Sequence, residues 1–142
     1  MHPKLDPLIQ NEVKKMLDAK ISFKVRHSKW VSNLVPVRKK SGEIRLCVDF
    51  RNLNRASDKD NYPVPPMEQL LQMVSGSDLF SLLDVFSSYN QLLVAEEDRL
   101  KTTFRTKWGT FAYSRMPFGL INTGATFQRA MDIAFHSLMA EV

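Results

Sequence analysis

A single cysteine among 142 residues excludes an internal disulfide and fits a reducing compartment. Cys47 lies in a strand-like run, where a buried and inert thiol is the ordinary case. No apolar run approaches the ~20 residues a membrane span needs. The N-terminal Met1-His2-Pro3-Lys4-Leu5 has no apolar stretch of the kind that opens a secretory signal. His2, His27 and His136 have no metal-ligand spacing to one another or to Cys47. There is no glycine-rich phosphate loop, no internal repeat and no low-complexity tract.

What remains is an ordinary mixture for one globular domain, 44% hydrophobic and 25% charged. Its charge is uneven. Residues 1–60 carry 14 Lys/Arg against 7 Asp/Glu, and residues 61–142 carry 6 against 8. A net of +7 in the first half suits a surface that meets a polyanion. On composition alone, a solvated basic face explains it equally well.

The order of elements reads as follows. Asp6-Pro7 marks a helix start, with Asp as cap and Pro in the first turn. Leu8, Ile9, Val13, Met16 and Leu17 follow at helical spacing. Ile21, Phe23 and Val25 alternate as in a strand. Leu34 to Val37 is a second strand, and residues 39–43 form a hairpin turn. The return strand places Ile44, Leu46, Val48 and Phe50 on one face, with Arg45, Cys47, Asp49 and Arg51 on the other. Residues 54–66 read as a polar connector. A short helix over Met67–Val74 stops at Ser75-Gly76-Ser77. Leu79 to Leu83 has strand length and ends at Asp84. A second hairpin pairs 102–106 with 110–116, and Asn122 or Thr123 caps a last helix that carries Phe127, Met131, Ala134, Leu138 and Met139. This order indicates an α+β domain, a mostly antiparallel sheet covered by helices.

Asp84 is the first candidate for chemistry, since a hydrophobic strand delivers a rigid hard-oxygen ligand suited to Mg²⁺. Taken alone, it reads better as an Asp that caps a turn, since Asp at strand ends is common. Its surroundings decide otherwise. The run from Phe80 to Gln91, FSLLDVFSSYNQ, resembles the first catalytic motif of reverse transcriptases from gypsy-type LTR retrotransposons. Three further strings stand in the family's order: VRKKSG and RLCVDFRNLN over 37–54, DNYPVP over 60–65, and RMPFGLIN with ATFQ over 115–128. Together they cover nearly the whole chain.

The resemblance implies a partial polymerase palm-and-fingers fold over residues 1–142, of right-hand architecture. Residues 1–83 would be the fingers and the start of the palm. Residues 84–142 would be palm, with its C-terminal part absent. It implies RNA-directed DNA polymerase chemistry, a two-metal phosphoryl transfer that adds deoxynucleotides to a primer. Asp84 is then the catalytic carboxylate, and it binds the metal together with the backbone carbonyl of Val85. The ions are two Mg²⁺, with Mn²⁺ as the alternative. Tyr89 lies under the incoming sugar, where its ring excludes a 2′ hydroxyl. Lys39 and Arg45 clasp the triphosphate, although Lys40 is an equal match to the Lys39 position. Phe118 and Gly119 line the nucleotide pocket, with the glycine allowing close backbone approach. Asp49 and Arg51 resemble the pair on the template side. The implied partners are an RNA or DNA template with its primer, deoxynucleoside triphosphates and the rest of the polymerase, in an intracellular particle without a membrane.

The sequence also departs from the family. Members carry a Tyr-x-Asp-Asp hairpin soon after the last helix, and no Asp-Asp pair occurs here. Phe86 and Ser88 stand where a basic residue and a glycine are frequent, and Gly124 where proline is. With one carboxylate, the isolated chain is expected to lack polymerase activity and to leave apolar helix surface exposed. A non-catalytic nucleic-acid-binding remnant, or a domesticated fragment, is the alternative reading.

Overall fold

The computed structural model describes residues 5–81 and 88–139. Helix α1 spans Asp6–Asp18 and buries Ile9 and Val13. These residues are four positions apart, so they share one face, with Met16 and Leu17 completing it. Pro7 occupies the first turn as expected. Asp6 does not cap; Leu5 holds the cap position, and the Asp6 carboxylate instead pairs with Lys107.

Five strands follow: β1 Ser22–Val25, β2 Ser32–Arg38, β3 Ile44–Val48, β4 Phe104–Thr106 and β5 Gly109–Tyr113. They form one sheet in the order β1-β5-β4-β2-β3. Three pairings are antiparallel, and β2 with β4 is parallel through Ser32 with Phe104 and Asn33 with Arg105. The sheet is therefore mixed. Pro36 lies where β2 has run past β4, so its missing N–H removes no bond to that strand.

The core forms where α1 covers the sheet. Phe104 is sealed from solvent, and its ring lies 5.9 Å from Phe111 and 5.2 Å from Tyr113. Phe50 meets Tyr113 edge-on at 6.3 Å. Burial pushes the Tyr113 phenol well above its ordinary value. On β3, Ile44 and Val48 are buried and Leu46 partly so, as the alternation requires.

Beyond Val48 the expected strand gives way to a helix. Helix α2 spans Arg51–Ala56 and buries Leu53. Asp49 and Arg51 therefore do not share a strand face. Phe50 continues the alternation of β3, but Leu53, three positions on, falls on the opposite face of a strand and on the same face of a helix. The Asp49 carboxylate accepts the Arg51 backbone N–H at 3.2 Å, turning the chain into α2. The connector is accordingly shorter, 57–66.

Helix α3, Met67–Val74, buries nothing; Met67 and Met73 are both about two-thirds exposed at 69% and 65%. Leu79, Phe80 and Ser81 belong to no strand and are exposed. The rest of the expected strand, with Asp84 and Val85, lies outside the described residues. A one-turn 3-10 helix at Tyr89–Gln91 and the short α4, Glu96–Arg99, lead into β4. Helix α5, Thr123–Ala134, ends at Phe135, and a separate turn, α6, covers His136–Met139. Ile133 and Leu138 are exposed. No helix among the described residues is long and apolar enough to cross a membrane.

Candidate nucleotide and nucleic-acid site

Arg45 lies on the face of β3 opposite the core, paired in register with Val37. Its guanidinium stands 5.1 Å from the centre of the Phe118 ring. Phe118 also meets Tyr89 edge-on at 4.9 Å, and Tyr89 in turn meets Phe127 of α5 at 5.3 Å. Three residues assigned from sequence to nucleotide binding thus form one continuous stack.

Local structure explains how they meet. Residues 92–94 run beside 114–116, joined by Val94 N–H to Ser114 O at 3.0 Å and Met116 N–H to Leu92 O at 2.9 Å. The Arg115 guanidinium also donates to the Gln91 carbonyl at 3.0 Å. This lacing brings the Tyr89 turn beside the Pro117-Phe118-Gly119 turn. Gly119 has φ +95, a conformation that disfavours any side chain. A Cβ there would meet Phe50 and the Val48 carbonyl at an ordinary 3.7 Å. Backbone conformation, rather than crowding, is what requires glycine at this position.

A cavity of about 320 Å³ opens beside the stack, lined by Lys39, Arg45, Cys47, Asn90, Pro117 and Phe118 among others. Lys39 reaches its rim but is bonded to Glu43 at 3.1 Å. That bond draws the Glu43 carboxyl below its usual range. Asp49 and Arg51 form a two-pronged pair, Nε to Oδ1 at 2.8 Å and Nη2 to Oδ2 at 2.6 Å. Arg51 holds the Asp49 carboxyl down to about 2. This pair lies past the end of β3, close to Gly119 through Val48 and Phe50. A larger cavity, about 660 Å³, is bounded by Trp30, Asn54, Lys101 and Ile121, and among the described residues none of those assigned from sequence lines it.

No group of three or more His, Cys, Asp or Glu gathers among the described residues. Asp84 and Val85 lie outside those residues. Asn54 escaped notice in sequence; it bonds to the backbone of the Phe118 turn. Asn122 holds the N-cap position of α5, as expected, but its side chain bonds to the connector and not to the helix, its amide donating to Asp58 O and accepting from Asp60 N–H. The connector is further held by Arg129, which pairs with Asp60 at 2.9 Å and lies 4.6 Å from the Tyr62 ring. The Tyr62 hydroxyl donates to Asp132.

This mixed sheet with packed helices is that of a partial palm-and-fingers unit, and sequence comparison agrees. Residues 37–142 match the family model described as reverse transcriptase (RNA-dependent DNA polymerase), and the chain belongs to that family. Its relatives include polyproteins of LTR retrotransposons. The retrovirus-related Pol polyprotein from transposon gypsy of Drosophila melanogaster is 37% identical over 130 residues, 87% of this chain and 12% of the relative. The corresponding polyprotein from transposon 297 is 33% identical over 138 residues, 92% of this chain and 13% of the relative. The chain thus spans about an eighth of these proteins. Among solved structures, the foamy viral protease-reverse transcriptase in complex with RNA/DNA hybrid superposes with a TM-score of 0.80 at 17% identity, covering 96% of this chain and 18% of that one. Its complex with double-stranded DNA gives 0.79 at 18% identity, over 95% and 24%. At such identity the likeness speaks for the fold.

Proposed function

We propose that this chain forms the nucleotide-entry face of an RNA-directed DNA polymerase and binds an incoming deoxynucleoside triphosphate beside a template-primer. The observation that carries the reading is the Arg45–Phe118–Tyr89 stack at the mouth of a cavity that Lys39 also lines. A planar guanidinium fixed over a ring presents its free N–H groups to phosphate oxygens. A tyrosine held edge-on by two phenylalanines cannot yield to a 2′ hydroxyl. Asp49 and Arg51 face the template, and because they neutralise each other they give orientation more than charge.

Asp84, with the Val85 carbonyl, is the proposed ligand for divalent ions. Bound Mg²⁺ would polarise the phosphate and align the primer hydroxyl. One carboxylate leaves such ions short of ligands, so this chain alone is inactive in primer extension. Titration calorimetry with dTTP tests the binding half. Arg45→Ala should weaken affinity at least tenfold, the equivalent of ~1.4 kcal/mol, and Arg45→Lys should recover little of it. Equal affinities for all three proteins would refute the reading. Primer extension by the purified wild-type chain, lost in Asp84→Asn, would overturn the inactivity.

A further inference from the structure

The Pro117–Ile121 turn carries Phe118 and is anchored by buried Pro117 and by Leu120, which packs against the core. Phe118 is 53% exposed and Ile121 43%. Polar bonds fix the backbone that burial leaves free. Asn54, on α2, supplies two of them across the fold. Its Nδ2 donates to the Gly119 carbonyl at 2.7 Å, and its Oδ1 accepts the Ile121 N–H at 2.9 Å. Both halves of the amide are used, on two backbone groups of the same turn. Asn54 is itself fixed, since its N–H donates to the carbonyl of buried Phe50 at 2.8 Å. The same Phe50 side chain lies beneath Gly119. Below the turn, Thr123 Oγ1 donates to the Pro117 carbonyl at 3.1 Å.

We infer that Asn54 is a positioning residue: it clamps the Gly119–Ile121 backbone and so holds the Phe118 ring between Arg45 and Tyr89. At neutral pH no other side chain of its size offers one donor and one acceptor in this geometry. An ionised Asp keeps the acceptor but sets a carboxylate against the Gly119 carbonyl. A protonated Asp restores the donor. Ala removes both. The consequence for nucleotide binding rests on the function proposed above; the consequence for the ring does not.

The test uses the 142-residue chain, its Asn54→Asp and Asn54→Ala variants, and NMR contacts between the Tyr89 and Phe118 rings. The Phe104–Phe111 contact reports folding. Both variants should lose the Tyr89–Phe118 contact at neutral pH and keep the core contact. Asn54→Asp should regain it as pH falls below about 4, the ordinary Asp range, whereas Asn54→Ala should not. Affinity for dTTP should fall about tenfold in both variants at neutral pH. Unchanged ring contacts in both variants overturn the inference. If the wild-type chain binds no dTTP, the nucleotide reading fails while the ring contact still decides Asn54. If the variants lose the core contact, hydrogen exchange in the wild type decides. An Ile121 amide protected well beyond the neighbouring exposed amides supports the clamp, and one exchanging as freely as they do refutes it.

Discussion

Arg45 and Phe118 meet at 5.1 Å although one belongs to the first hairpin and the other to the turn after β5. The contact joins the basic half of the chain to the half that follows it. It also fixes the direction in which the guanidinium can meet an anion, because stacking leaves its edges free.

Tyr89 is held by Phe118 on one flank and Phe127 on the other. Selection against ribose should therefore depend on its ring. Tyr89→Ala should bring the affinities for dTTP and UTP together, cutting their ratio about tenfold or more. Competition binding with the two nucleotides measures it, and a ratio unmoved by the substitution removes Tyr89 from the sugar site.

The connector and α5 are joined through Tyr62. Its bond to Asp132 raises the phenol above its ordinary value. Asp132 also accepts from Gln128 at 2.8 Å. Tyr62→Phe keeps the ring under Arg129 and removes only the hydroxyl. It should lower the thermal midpoint by about 2 °C. Arg129→Ala, which also frees Asp60, should lower it more. Thermal denaturation followed by circular dichroism provides the comparison.

Asp49 gives a pH prediction of definite sign. Its folded value, about 2, lies below the ~3.9 of an unfolded Asp. The contribution to stability is therefore complete above the unfolded value and is lost as pH falls through the folded one. Exposure of Arg51 keeps that contribution small. A carboxyl titration by NMR should find Asp49 still ionised at pH 3 in the wild type and substantially protonated there in Arg51→Ala.

The first hairpin and its inward face were legible because Ile44, Leu46 and Val48 alternate without interruption. Helix α2 was not legible. Phe50 prolongs the alternation of the strand before it, Leu53 is the one buried residue of the helix, and six residues are too few for a helical period to show. Asn122 has the right chemistry for a helix cap, yet its amide bonds to Asp58 and Asp60 on the connector. The Asn54 clamp was hidden for the same reason: its partners lie far along the chain, and a single asparagine in a turn-rich string does not announce which backbone it will reach. The candidate site residues were assigned through ordered strings, which name Arg45, Tyr89 and Phe118 but say nothing of the contacts that join them.

Mapping dTTP onto the chain by NMR tests the central claim most directly. With Mg²⁺ present, resonances of Arg45, Cys47, Tyr89 and Phe118 should shift together and saturate along one binding curve. Shifts confined to Lys14 and Lys15 on α1, or to the cavity beside Trp30 and Lys101, would contradict it.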